Sequence, residues 1–273
     1  MLSDRERDRL CVVLVRARNS SNIGAAARAM RDFGFAHLRV VNEFTPPFEA
    51  ARSAIDASEI MSAARMYASV AEAVADCTLV VGTTAVGERN LEHELLELPA
   101  AGSRIGAALG LSTSQNQDVA HPIVAGPRVA LLFGSEKTGL SNEELSYCHW
   151  LLTIPMHQID GQRHVSMNLG QAVAVCLYEL VRGAEPRGAI PQGREQVTAT
   201  EPPADSESLE RITALFQQVL EATEYTRRHA ANSEPAQVRR LVRRIGVDRV
   251  DAPVWMGILR QILWKLGLAS REE

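Results

Sequence analysis

Between residues 10 and 181 the chain alternates short, nearly unbroken apolar runs with longer amphipathic ones, and this alternation constrains its fold more than any other feature. The apolar runs are LCVVLVRA (10–17), LRVV (38–41), TLVVGTT (78–84), RVALLFG (128–134) and WLLTIP (150–155). A strand apolar on both faces must be covered on both faces, which is the condition of a parallel sheet in an α/β protein. Segments 22–35, 57–77, 141–148 and 169–181 carry apolar residues at helical spacing and supply that cover. Residues 86–127 are less regular and are expected to form an insertion with one short helix. Hydrophobic residues make up 46% of the 273, enough for a full core. No apolar run is long enough for a membrane span. The charged start, MLSDRERDRLC, runs straight into a strand and does not read as a secretory leader, so a cytoplasmic location is expected.

A linker reading follows for residues 184–207, which hold Pro186, Pro191, Pro202 and Pro203 and show almost no aliphatic periodicity. Beyond it, residues 208–273 contain three amphipathic stretches and are expected to form a small all-α extension. So few residues make a marginal core, so the extension should pack on the first 183 residues or on a partner chain. The formal net charge is −4, yet the segment from Leu209 to Leu268 holds ten basic residues against six acidic ones. Such asymmetry hints at a nucleic-acid-facing module, and arginine, which stacks on bases and forks onto phosphates, outnumbers lysine heavily. An Ala- and Arg-rich composition alone gives the same count. Cys11, Cys77, Cys148 and Cys176 are scattered without a C-x-x-C pair, which suits reduced thiols and argues against a disulfide or a zinc site.

Three loops fall at carboxyl ends of predicted strands, where open α/β sheets bind ligands. The first, residues 18–30, offers Asn22 as a helix cap, Gly24 for close backbone approach, and Arg28 further along the helix. The second, FGSEKTGL (133–140), imitates a phosphate-binding loop, but Leu140 stands where lysine is required and Glu136 would repel phosphate. The third runs from Ile154-Pro155-Met156 to residues 165–174, where Ser166 is read as capping a helix and Asn168 lies in its first turn. Each loop alone has a structural explanation in caps and turns; it is their order in one chain that points to function. A dinucleotide oxidoreductase is excluded, because no strand is followed by G-x-G-x-x-G.

Taken together, the loops resemble the motifs of the SPOUT superfamily of RNA methyltransferases, in its SpoU branch of ribose 2′-O-methyltransferases. The carrying residues are Asn22-Ile-Gly-Ala-Ala-Ala-Arg28, Phe133-Gly-Ser-Glu136-Lys-Thr-Gly139-Leu140, and Ile154-Pro-Met followed by Ser166-Met-Asn168, within residues 11–181. The resemblance implies S-adenosylmethionine as cofactor, held by Thr83, Thr84, Gly134, Ile154, Val165, Ser166 and Met167. It implies a catalytic or substrate-positioning set of Arg28, Asn22, Glu136, Ser166 and Asn168. A cationic sulfonium accounts for a glutamate where a phosphate loop has lysine. The resemblance further implies a C-terminal trefoil knot in residues 1–183 and a homodimer; on the cysteine spacing no metal is expected. The AAARAM helix, the Gly82-Thr83-Thr84 strand end and the Arg-rich tail look like the tRNA methyltransferases of anticodon-loop nucleotide 32, acting on cytidine or uridine. An rRNA 2′-O-methyltransferase of the same branch and a non-catalytic RNA-binding relative are the alternatives. Ser21 stands where the family has glycine, Val86-Gly87-Glu88 intervene before Arg89, and the loop 156–165 is long.

Overall fold

The structure is a computed structural model that describes residues 2–42, 58–85, 91–110, 127–157, 167–182 and 201–267. Seven strands form one sheet: β1 (Leu10–Val15), β2 (His37–Val41), β3 (Arg65–Tyr67), β4 (Leu79–Thr83), β5 (Leu95–Glu97), β6 (Val129–Phe133) and β7 (Trp150–Thr153). Their order is β3-β2-β1-β6-β4-β7-β5, and every neighbouring pair is parallel. The later strands β6 and β7 thus insert between earlier ones, which brings the carboxyl ends of β1, β6, β4 and β7 side by side.

The apolar runs form strands because both faces are buried. In β1, Val12 and Leu14 join one core while Cys11, Val13 and Val15 join the core on the other face. The first core is covered by α2 (Ser20–Phe33), α5 (Leu98–Gly110) and α7 (Leu169–Arg182), after a single-turn α1 (Asp4–Arg7) at the start of the chain. The short α3 (Ser58–Ala63) adds Ile60 and Met61 to it. The second core is covered by α4 (Val70–Val74) and α6 (Asn142–Ser146).

Two strands depart from the sequence reading. Residues 65–67 lie inside a segment read as helical, and Leu95–Glu97 inside a presumed insertion. Both are three-residue edge strands whose side chains are largely exposed or half-buried, so neither leaves an apolar run in the sequence. What was expected as an insertion supplies an edge of the sheet and the helix α5, with Ala101, Ile105 and Leu109 in the core.

The tail folds into α8 (Ser206–Ala222), the short α9 (Tyr225–Arg228), α10 (Pro235–Ile245) and α11 (Asp251–Lys265) around a separate small core that includes Leu209, Ile212, Val242 and Leu259. It is fastened to the sheet by backbone and side chain: Ser206 donates from N and Oγ to the Cys77 carbonyl at 2.9 Å each. Three of the ten basic residues between Leu209 and Leu268 lie in that seam. Arg243 donates to the Tyr147 carbonyl at 3.0 Å and to Glu210 at 3.0 Å, and Arg239 donates to Glu210 and to Ser146 Oγ at 2.8 Å. The Arg239 guanidinium also lies 4.0 Å from the Tyr147 ring centroid, and Arg240 pairs with Glu92 at 2.9 Å. These three arginines, counted in the sequence toward an RNA-facing charge, bond to the protein itself. Arg227, Arg228, Arg249 and Arg260 are exposed.

Candidate active site

The loop after β6 closes on itself. Gly139 donates its N–H to the Ser135 carbonyl at 2.8 Å and takes φ +65°, a conformation glycine adopts without steric cost. A Cβ on Gly134 would lie 2.1 Å from the Gly139 carbonyl carbon, so only glycine lets the chain return this closely. Leu140, at the position a phosphate loop gives to lysine, is buried in the core.

Arg16, at the end of β1, braces this loop. It is held at φ 54°, uncommon for a non-glycine residue, and forks onto Glu144 at 2.5 and 2.8 Å while donating to the Gly139 carbonyl at 3.2 Å. Glu144 also closes a capping box with Ser141 at the start of α6. Burial alone would raise the Glu144 pKa, but Arg16 and the Ser141 N–H outweigh it and hold the carboxyl below its ordinary range. Neither Arg16 nor Glu144 was singled out from the sequence. The S-x-x-E spacing of Ser141 and Glu144 was legible as a cap, but the partner from β1 was not.

From this braced loop Glu136 reaches across to the loop after β1. Its carboxylate accepts from the Arg18 N–H at 3.2 Å, the Asn19 N–H at 3.3 Å and Asn22 Nδ2 at 3.0 Å. Asn22 Oδ1 in turn accepts from Asn168 Nδ2 at 2.8 Å. Asn168–Asn22–Glu136 is therefore a continuous hydrogen-bonded line joining three loops far apart in sequence. Desolvation pushes the Glu136 pKa up, but the bond from Asn22 and the converging backbone N–H groups prevail and lower it, so the group is an anion at neutral pH.

The helices place these amides differently from the sequence reading. Asn19, not Asn22, caps α2, its side chain accepting from the Ser21 N–H at 2.9 Å. Asn22 lies in the first turn, which frees its amide to bridge Glu136 and Asn168. Asn168 stands just before α7 and is its cap, accepting from the Gly170 N–H at 2.9 Å. Gly170 permits this, because a Cβ there would lie 2.5 Å from that of Ala25 on α2. Arg28 is exposed on α2, six residues beyond Asn22 and about 9 Å further along the helix axis.

Of the expected cofactor contacts, Thr83, Thr84, Gly134 and Ile154 lie at the carboxyl ends of the adjacent strands β6, β4 and β7. Thr83 Oγ1 donates to the Leu132 carbonyl at 2.9 Å, and the Thr84 N–H donates to the Leu152 carbonyl at 2.9 Å. Gly134 begins the closed loop, Ile154 is half-buried against the first core, and Met167 precedes Asn168. Val165 and Ser166 lie outside the described residues, as do Val86-Gly87-Glu88 and most of the 156–165 loop. The donor set fits a neutral-to-cationic amphipathic group: hydroxyls, backbone, an apolar side chain and one ionised carboxylate. Among the described residues no cluster of His, Cys, Asp or Glu could hold a metal ion. No described helix is long and apolar enough to cross a membrane. The four cysteines are buried and free, and burial pushes the Cys148 and Cys176 thiols up to about 12.

Comparison with known proteins places this geometry. The chain is 33% identical over 253 residues to the tRNA (cytidine/uridine-2′-O-)-methyltransferase TrmJ of Escherichia coli (strain K12), covering 92% of this chain and 94% of that one. The enzyme of the same name from Sodalis glossinidius is 32% identical over 252 residues, with 92% and 90% covered. Among solved structures, TrmJ from Z. mobilis ZM4 superimposes with a TM-score of 0.69 at 26% identity, over 92% of this chain and 98% of that one. The family model of the SpoU rRNA methylases matches residues 9–178, across the sheet and all three loops. This chain belongs to the SpoU rRNA methylase family.

Proposed function

We propose that the protein methylates the ribose 2′-hydroxyl of cytidine or uridine in tRNA, at anticodon-loop nucleotide 32, with S-adenosylmethionine as methyl donor, in the cytoplasm. The observation that carries the reading is the Asn168–Asn22–Glu136 line at the strand ends, built from the motif residues themselves. The similarity to the TrmJ enzymes over nearly the whole chain, tail included, supports tRNA as substrate.

The donor, when bound, supplies a methyl group made electrophilic by a sulfonium. Thr83, Thr84, Gly134, Ile154, Val165, Ser166 and Met167 would hold it. Glu136 is an anion tied by three N–H donors, so it orients Asn22 and supplies fixed negative charge rather than taking the hydroxyl proton. The Asn22 and Asn168 amides, with Ser166, position the ribose. Arg28 is not suited to act as the base, since a guanidinium offers N–H donors and no acceptor for the hydroxyl proton. Its role is to orient the ribose and adjoining phosphate and to stabilise the developing alkoxide, the proton leaving to phosphate or water.

The proposal includes a division into a knotted methyltransferase unit (1–183), a linker (184–207), whose last residues already pack as part of the tail from Ala204 and open α8 at Ser206, a helical unit (208–273), and a homodimer. The place of β6 between β1 and β4 in the strand order supports the knot. An exposed aliphatic ridge along α11, formed by Val254, Ile258 and Ile262 and flanked by Val250 and Leu266, supports the dimer. The test is methyl transfer to bulk tRNA and bulk rRNA with nucleoside analysis. Ribose-methylated cytidine and uridine in tRNA alone is the expected result. Label in rRNA alone would move the substrate, and absence of donor binding would sink the reading.

A further inference from the structure

Helix α11 is apolar on two faces. Ala252, Leu259 and Leu263 are buried in the tail, the first two as part of its small core. On the outer side Val254, Ile258 and Ile262 are 56%, 49% and 38% exposed, and Val250 and Leu266 at the two ends of the row are exposed as well. A surface helix ordinarily turns one apolar stripe to its core and a polar face to water, so a helix with two apolar faces is built for two partners. Exposed aliphatics scattered singly need no explanation, whereas a continuous row of them marks a contact surface.

The order of residues along the row names the partner. At about 100° per residue, Asp251, Val254, Ile262 and Lys265 all project within about 40° of Ile258. Val254 and Ile262 stand four residues to either side of Ile258, and Asp251 and Lys265 stand seven to either side. Asp251 is exposed in the first turn and Lys265 is exposed in the last. A second α11 laid antiparallel on the first, with Ile258 on the axis, sets Val254 against Ile262 and Asp251 against Lys265, each of them twice. A parallel pairing would set like charges together at both ends. Self-matching of this kind is what a two-fold interface requires. The helix dipole alone accounts for an acid at the start and a base at the end, but not for the aliphatic row between them.

The place of α11 in the molecule permits such a pairing. The tail docks at the amino end of the sheet, because Cys77 and Tyr147, whose carbonyls it binds, precede β4 and β7. Contact through the tail therefore leaves the motif loops, at the opposite end, open to a substrate.

We infer that two copies of this chain associate through the outer face of α11, antiparallel about a two-fold axis at Ile258. The inference rests on the homodimer reading for the second copy and adds the surface and register by which the copies meet. A contact about 21 Å long and about 10 Å wide falls short of the roughly 1,200 Å² of a stable complex, so the pairing is weak and dilution reverses it.

The test is sedimentation of the full chain over a dilution series, beside variants at exposed positions. Ile258→Asp sets two carboxylates together on the axis and should raise the dissociation constant by about 100-fold or more. Arg260→Asp, on the same helix but outside the row, should leave it within about twofold. Asp251→Lys and Lys265→Asp should each weaken association by about tenfold, and the double reversal should restore it. A chain that sediments as a single copy at every concentration would overturn the homodimer reading and this one with it. A larger species that Ile258→Asp leaves unchanged would overturn this pairing alone, and would leave the row to RNA or to another protein. Loss of association with Ile258→Asp, without rescue by the double reversal, would overturn the antiparallel register.

Discussion

The two ends of the sheet solve opposite electrostatic problems with different residues. At the carboxyl end, three loops are joined by neutral amides and one carboxylate, and Arg16, which braces one of them, is forked onto Glu144. At the amino end, three arginines from one helix clasp Glu210, Glu92, Ser146 and the Tyr147 carbonyl. The first arrangement fixes polar groups in place while they stay within reach of solvent. The second buries charge to hold two parts of the chain together. Arginine count per segment therefore says little about RNA, because burial decides whether a guanidinium meets a nucleic acid or a neighbouring loop.

The sharpest way to break this contrast is at the amide line. Asn22→Ala should lower single-turnover methyl transfer by about 10²–10³-fold, the scale of one lost preorganised contact, with little change in thermal stability. Because Asn22 bonds both Glu136 and Asn168, the Asn22→Ala/Asn168→Ala double variant should lose much less than the product of the two single losses. Independent losses would mean that the line is not a unit.

Arg243→Met addresses the other end and should show the converse. Breaking a buried ion pair costs about 3–5 kcal/mol, and here the lower figure applies because Arg239 still holds Glu210. Denaturant unfolding should register that loss, while the rate of methyl transfer per folded molecule stays near the unmodified value. A large fall in turnover with stability intact would erase the division of labour between the two ends.

The sheet and the site differed in how much of each could be read from sequence. The central strands were legible because burial on both faces writes an uninterrupted apolar run, as in β1 and β6. The edge strands β3 and β5 were not, because exposed three-residue strands write none. The motif residues Asn22, Glu136 and Asn168 were recognised singly, but not which amide caps and which bridges. That depends on α2 and α7 meeting at Ala25 and Gly170, a contact between residues 145 positions apart. The seam was invisible for the same reason: Arg239 and Arg243 find their partners only after the tail docks.

That helix contact offers a third test. Gly170→Ala forces a methyl group against Ala25, and overpacking of this kind costs about 1–3 kcal/mol. Since Asn168 caps the same helix, turnover should fall along with stability, which neither Asn22→Ala nor Arg243→Met does. A stability loss without a turnover loss would show that the amide line tolerates a shift of α7.

The smallest effect separates the two ends by pH. His149 immediately precedes β7 at the seam, and burial, then the charge of Arg243, pushes its pKa from 6.5 down to about 3. The unfolded chain therefore binds a proton that the folded one refuses, so stability falls as pH drops below 6.5, by at most about 1.4 kcal/mol per pH unit. His149 is only half-buried, and that exposure shortens this window from its lower end, but the upper end, set by the unfolded chain, stays. Glu144 behaves differently. Its folded pKa lies below the ordinary 4.5, so its contribution is complete above that pH and is lost only as pH falls through the depressed value. His149→Asn, which keeps an acceptor for the Val80 N–H, should flatten the stability slope between about pH 5 and 6, where Glu144→Gln leaves it unchanged. Glu144→Gln should change the slope only in the more acid range; above it the variant lacks the Arg16 fork, so it should be less stable by a constant amount, with a looser loop. If both variants flatten the same range, the seam and the loop titrate as one body, and the contrast between the two ends does not extend to their response to acid.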